Sequence, residues 1–297
     1  MSRIAISGAS GLIGTALASR LSTRHEVVRL VRRPARDTTE RRWDPAAGFV
    51  EGLGLSDIDV VINLSGAGIA DRRWSADRRR ELLCSRLEST RTLAHLVATE
   101  ERPSVLLSAS AVGFYGNTGD REIDESAPEG EGFLADLCHR WEYATAEAVR
   151  SGVRTVLLRT GLVLDRRGGF LGRQLPLFRA GLGGPLGDGR QWLPWITLVD
   201  HVSACEHLIG AEVSGPVNLS APHPVTNAEL TAELGRVLHR PTRIPVPLPA
   251  LRLALGPQLV DEALLTSNRM LPRVLTDSGY AFRHPSLAEA LPAVLAA

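Results

Sequence analysis

Ser110 and Tyr115 stand in the stretch S-A-S-A-V-G-F-Y-G, residues 108–116, directly after an apolar run. A serine hydroxyl and a phenol at a strand end can polarise a substrate oxygen and exchange a proton with it while a nicotinamide exchanges hydride. A phenol does this well at neutral pH only when a neighbouring cation lowers its pKa from near 10. An ammonium group is one such cation, and this chain has none in its side chains: all 34 of its Lys+Arg positions are arginine.

A second constellation opens the chain. Gly8-Ala9-Ser10-Gly11-Leu12-Ile13-Gly14 lies between an apolar strand and a helix, the context in which a G-x-x-G-x-x-G run binds a dinucleotide. The glycines permit a tight turn and close backbone approach, and the free N–H groups of the helix start face the pyrophosphate. The second strand ends Leu30-Val31-Arg32-Arg33-Pro34, without the carboxylate that would bind a free ribose hydroxyl. Arg32 there suits a 2′-phosphate, so the expected cofactor is NADP(H) rather than NAD. Asn63-Leu64-Ser65-Gly66-Ala67 ends the third apolar strand and should pass near the adenosine-ribose half of the cofactor.

The elements that must position these groups alternate. Strands are expected at Arg3–Ser7, Glu26–Val31, Asp59–Leu64, Ser104–Ser108 and Val153–Leu164. Helices are expected at Leu12–Ser22, about Ser75–Thr99 and Phe133–Arg150. Strands this apolar, separated by helices, predict an α/β fold: a Rossmann-like doubly wound parallel sheet, with a smaller C-terminal lobe. Residues 1–165 form the NADP-binding domain, to which 195–220 return; residues 166–297 supply the substrate-cleft lobe and a C-terminal helical region. Gly168-Gly169 and the stretch 181–189 read as loops. Trp195–Leu198 reads as a short strand with Asp200 capping the next helix, and Val217–Leu219 as a further sheet strand. A capped helix is expected from Thr226, followed by a proline-punctuated link over 241–249.

Composition narrows the partners. The formal net charge is +1, and the arginine cluster at Arg78-Arg79-Arg80 has Asp77 and Glu81 beside it. Neither nucleic acid nor an anionic membrane is expected as a partner. Cys84, Cys138 and Cys205 are far apart and lack a C-x-x-C, which suits a reducing compartment and offers no metal site. No signal peptide is expected at Met1-Ser2-Arg3 and no run approaches membrane-spanning length, so a cytoplasmic protein is expected.

Taken together, S-G-A-S-G-L-I-G, V-I-N-L-S-G-A, S-R-L-E-S-T-R, S-A-V-G-F-Y-G, Trp141-Glu142, L-R-T-G-L-V-L, G-L-G-G-P-L-G-D-G-R-Q-W-L-P-W-I and A-P-H-P-V-T-N span nearly the whole chain. With them it resembles the extended, sugar-nucleotide-epimerase-like branch of the short-chain dehydrogenase/reductase superfamily. More narrowly, it resembles the atypical "epimerase family protein" subgroup, with an NAD-dependent epimerase/dehydratase-like N-terminal domain. From about Pro249 it resembles the small domain of unknown function that closes these chains. The resemblance implies an NADP-binding Rossmann domain with Leu64, Ser65, Glu81, Arg86 and Val163 touching the cofactor. It also implies a Ser, Tyr and Lys trio, the last two spaced Y-x-x-x-K on one helix. Here Leu137 falls near the tyrosine's place and Trp141 near the lysine's, so that dyad is missing.

Ser110 then matches the serine of the trio, with Tyr115 expected at the lip of the cleft beside the nicotinamide. Asp136, His139 and Glu142 could substitute for the missing groups or form the solvated face of their helix. Trp74, Trp141 and Trp195 are candidates to wall the substrate cleft. The expected function is an NADP(H)-dependent oxidoreductase of a small molecule. A non-catalytic NADPH-binding regulatory protein competes with it, and a nucleotide-sugar epimerase, which needs an activated tyrosine, stands behind both. A homodimer through the arginine-rich helix is expected by analogy alone.

Overall fold

The computed structural model describes residues 1–296. Its first half is built as β1 (Arg3–Ser7), α1 (Leu12–Leu21), β2 (Glu26–Val31), β3 (Glu40–Asp44), β4 (Phe49–Val50), β5 (Val60–Asn63), α2 (Ala76–Thr99) and β6 (Val105–Ala111). There follow β7 (Glu122–Ile123), α3 (Phe133–Tyr143), α4 (Ala146–Arg150) and β8 (Arg154–Thr160). Eight strands form one sheet in the order β12-β8-β6-β5-β1-β2-β3-β4, where β12 is Gly215–Leu219. All its pairings are parallel except the β3–β4 hairpin. This is a Rossmann-like sheet.

Helices cover both of its faces because the strands are buried on both. Ile4, Ile6, Ile62 and Leu107 point into one apolar cluster with Leu17, Leu21, Val202 and Leu208; Ala5, Val28, Val61 and Leu106 point into the other with Leu93, Val97 and Ala148. The period-2 alternation along each strand thus feeds two cores.

The remaining elements are β9 (Leu162–Asp165), α5 (Gly169–Arg179), β10 (Trp192–Leu193), β11 (Trp195–Thr197), α6 (Leu198–Gly210), then after β12 come β13 (Val225–Thr226) and α7 (Asn227–Leu238). α8 (Leu248–Leu255), α9 (Pro257–Leu259), β14 (Arg269–Met270), α10 (Arg273–Asp277) and α11 (Leu287–Ala296) close the chain. β14 pairs with β7, and Asn218 Nδ2 on β12 donates to the Leu271 carbonyl at 2.9 Å. Glu125 accepts from the backbone N–H groups of Asn218 (2.9 Å) and Val274 (3.3 Å), so the closing segment is bonded into the sheet's edge.

Several sequence expectations are corrected. The fifth strand ends at Thr160, and Gly161, whose missing side chain makes room for the Pro194 carbonyl, turns the chain into the separate pair β9–β11. The helix expected over 133–150 is broken after Tyr143 into α3 and α4. Gly169 starts a helix, with a left-handed φ of +63° at its first residue. The cap of α6 is Thr197, whose Oγ1 accepts from the Asp200 N–H at 3.1 Å; Asp200 is instead buried, accepting from the Arg283 and His284 backbone. Of the strands not expected, β3 (E-R-R-W-D) is too rich in charge to show an apolar pattern, and β4 is only two residues long. The helix at Thr226 keeps its cap, with Glu229 completing a capping box.

His201 on α6 is fully buried, its ring bonded to Thr160 Oγ1 at 3.1 Å. Burial pushes the imidazole down to about 4 from an ordinary 6.5. The unfolded chain therefore takes up this proton at a pH where the folded chain does not, and stability falls as pH drops from 6.5 towards 4. Between pH 7.5 and 5.5 the expected loss is about 1 kcal/mol by denaturant unfolding. In His201→Gln that part of the slope should vanish.

Candidate active site

The turn from β1 into α1 is built for close approach. Gly8 has φ +70°, and a Cβ there would lie 2.6 Å from the Leu64 carbonyl oxygen; at Gly14 it would lie 2.2 Å from that of Gly8. Gly11 caps α1 without a side-chain acceptor, and no acidic residue sits in the first turn. The leading N–H groups of α1, at Leu12, Ile13 and Gly14, thus have neither an intrahelical acceptor nor a competing carboxylate, the condition for holding an anion. Ser10 and Gly11 form the exposed tip of the turn.

A groove of about 1390 Å³ runs from this turn along the carboxyl ends of β2 and β5, lined by residues 8–11, 29–33 and 64–68 and by Glu81, Ser85 and Glu88 of α2. Leu64, Ser65 and Gly66 are among its lining residues. Arg32 and Arg36 line it as exposed arginines. Arg33 does not stand free: its guanidinium grips Glu40, NH1 to Oε2 at 2.7 Å and NH2 to Oε1 at 2.6 Å. The sequence reading of this corner as free of carboxylate is therefore corrected, because β3 brings Glu40 beside β2. Glu81 lies at the rim, paired with Arg78 at 2.7 Å and with Arg72, and Arg78 holds its carboxyl below the usual range.

Arg86 lies directly behind Gly66: a Cβ on that glycine would sit 3.1 Å from the guanidinium carbon. The guanidinium rests 4.9 Å from the Trp141 ring centroid and donates to the Leu82 carbonyl at 3.0 Å. Its Nε is buried without an acceptor, and among the described residues no carboxylate pairs with it. Desolvation pushes this arginine down to about 10. A buried cation lacking a counter-charge, a glycine cradle and an uncapped helix start together fit a dinucleotide, which brings anionic phosphates. Val163 does not line this groove; its carbonyl and the Leu12 side chain lie beside Gly169.

Ser110 is the penultimate residue of β6 and sits opposite Arg159 of β8. Its hydroxyl donates to Glu142 Oε1 at 2.6 Å. Glu142 reaches over from α3 and takes two bonds from Arg159, at 2.8 and 2.9 Å. Both charged side chains are buried, 6 % and 9 % exposed. The Arg159 guanidinium lies 3.5 Å over the Phe114 ring and donates to Tyr115 Oη at 2.9 Å, and Tyr115 donates on to Asn218 Oδ1 at 2.7 Å. One chain of bonds thus joins Ser110, Glu142, Arg159, Tyr115 and Asn218.

Tyr115 is accordingly not at the lip of the cleft. It is 2 % exposed, and burial pushes its phenol up to about 12 against the pull of Arg159. Trp195 is fully buried in the lobe's own core, so it walls no cleft. Trp141 is buried with its Nε1–H on Thr90, and Trp74 is buried with its Nε1–H on the Ile69 carbonyl. Of the three polar candidates on α3, Asp136 and His139 lie on the exposed face, paired with Arg140 and Glu129, whereas Glu142 points inward. Sequence reading passed over Arg159 and Asn218, although an arginine inside the apolar run T-V-L-L-R-T is a signal of an interior partner.

A shallower cleft of about 800 Å³ lies at the opposite, amino-terminal ends of the strands. Its basic residues Arg20 and Arg24 are already paired with Glu206. Among the described residues no cluster of side chains is suited to a metal ion, and no helix is long and apolar enough to cross a membrane.

A model of the NAD dependent epimerase/dehydratase family matches residues 4–220, and one for a domain of unknown function, DUF1731, matches residues 246–294. The epimerase family protein Mb2239 of Mycobacterium bovis is 47% identical over 290 residues, covering 97% of this chain and 96% of its own. The human epimerase family protein SDR39U1 is 35% identical over 300 residues, covering 99% of this chain and all of its own. The crystal structure of human SDR39U1 (isoform 2) with NADPH superposes with a TM-score of 0.91 at 35% identity, covering 98% of each chain. A UDP-N-acetylglucosamine 4-epimerase from Bacillus cereus shares the fold, with a TM-score of 0.77 at 15% identity.

Proposed function

The chain belongs to the NAD dependent epimerase/dehydratase family, and from that premise we propose that it is an NADP(H)-dependent oxidoreductase of a small molecule. Bound in the groove, a dinucleotide would supply or accept the hydride. The glycine turn and α1 would hold its pyrophosphate, Arg32 and Arg36 its 2′-phosphate, and Arg86 would supply charge from behind Gly66.

The observation that carries the reading is the Ser110–Glu142 bond. Ser110 is itself 3 % exposed, so a substrate has to reach it at the end of β6; because its hydrogen is committed to a carboxylate, the oxygen would offer its lone pairs to a substrate hydroxyl there. A proton leaving that hydroxyl can pass to Ser110 while the serine's own passes to Glu142. Arg159 fixes the carboxylate for both bonds. Sugar epimerisation is disfavoured, since the phenol it would need is sequestered between Arg159 and Asn218. That same sequestration favours the second reading, an NADPH-binding regulatory protein without turnover.

Purified protein with NADPH or NADP⁺ and a small-metabolite extract of its own cells separates the two, read by nicotinamide absorbance. The expected result is turnover that Ser110→Ala lowers by about 100-fold with NADPH affinity unchanged, the scale of one positioned proton-transfer group. Tight NADPH binding with no absorbance change in either direction would establish the regulatory reading instead.

A further inference from the structure

Lining the groove where β2 ends are four arginines, Arg29, Arg32, Arg33 and Arg36, and the carboxylate of Glu40; Asp37, just before β3, also acts on Arg29 and Arg33. Glu40 is the first residue of β3 and lies opposite Arg29 of β2. Its side chain is 7 % exposed and is held by three donors: both Arg33 guanidinium nitrogens and the Arg36 N–H at 2.9 Å. Arg33 in turn spends a further N–H on the Pro34 carbonyl at 2.9 Å. Arg29, Arg32 and Arg36 have no ion pair among the described residues.

The two charges therefore cancel inside a site that must distinguish a phosphate dianion from a hydroxyl. A carboxylate with satisfied lone pairs neither attracts ribose hydroxyls nor presents bare negative charge to a phosphate. Left alone, the same carboxylate would do both. We propose that Glu40 is a masked NAD-selecting carboxylate, and that the Arg33–Glu40 pair, rather than Arg32 alone, sets the preference for the phosphorylated dinucleotide. Arg33 acts by neutralising Glu40, and the three unpaired arginines meet the phosphate. This selection rests on the NADP(H) reading above.

Titrations followed by the nicotinamide fluorescence of NADPH and NADH test it without any substrate. Wild-type protein is expected to prefer NADPH. Arg33→Ala exposes the carboxylate, so NADPH should weaken while NADH tightens, shrinking the preference at least tenfold. Glu40→Gln, close in shape, should leave NADPH as tight or tighter. In the double variant the NADH gain should disappear, because the group that produced it is gone. Unfolding midpoints of the four proteins show that all are folded.

The proposal is overturned if Arg33→Ala weakens NADPH while NADH stays unmoved in both single and double variants. Arg33 would then be a plain phosphate ligand and Glu40 a brace for the β2–β3 turn. Equal binding of the two dinucleotides by wild-type protein is a different failure, and it would remove the NADP(H) reading together with the selection built on it.

Discussion

Arg159→Leu is expected to lower the free energy of unfolding by about 3–5 kcal/mol, a large share of what a domain holds in total. The substitution strands Glu142 as a buried charge and removes the donor on which Tyr115 rests. Glu142→Leu should weaken the fold comparably, since it leaves the guanidinium without a counter-ion among Phe114, Tyr115 and the β6 backbone. The double variant is the informative one. With both charges gone, the desolvation penalty of each goes too, and apolar side chains of similar volume should restore most of the loss. Urea unfolding of the four proteins gives the coupling directly. A double variant as unstable as the sum of the singles would mean that the pair acts through packing on Phe114 and not through charge.

Arg86→Leu should act with opposite signs on the protein and on its ligand. The side chain is a buried cation with no carboxylate partner, so replacing it by an apolar group of similar length removes a desolvation penalty. Without dinucleotide, stability should hold or rise. Affinity for NADPH should fall by more than 100-fold, since truncating one partner of a buried charged contact costs roughly 2–5 kcal/mol. The unfolding midpoint of wild-type protein should climb steeply with NADPH concentration and that of the variant should not. Equal loss of stability and binding would instead make Arg86 a brace for α2 against Trp141.

These effects bear on how much could be read before the fold was known. The glycine turn, the first parallel strands and α2 are local patterns: apolar runs of fixed period and glycines at fixed spacing. They survived folding nearly unchanged. The polar interior is different in kind. Glu142 and Arg159 are 17 residues apart and Tyr115 and Asn218 are 103 apart; the packing of α3 on β6, with the pairing of β6 with β8 and of β8 with β12, brings them together. Tyr115 looked exposed because a phenol after a strand end often is, but the turn that follows β6 folds it inward onto Arg159. Glu40 stayed hidden for a related reason: β3 is so charged that no period marks it as a strand, so its first residue had no predictable neighbour.

The closing segment has its own lesson, drawn from Asn218 and Glu125. Their bonds to Leu271 and Val274, and the pairing of β14 with β7, tie the C-terminal part to the same polar chain that ends in Ser110. Cutting the gene between the two matched segments would strip acceptors and donors from the sheet's edge on one side and orphan an apolar tail on the other. The two segments are therefore expected to fold as one unit, and neither is expected to keep its edge intact when expressed without the other.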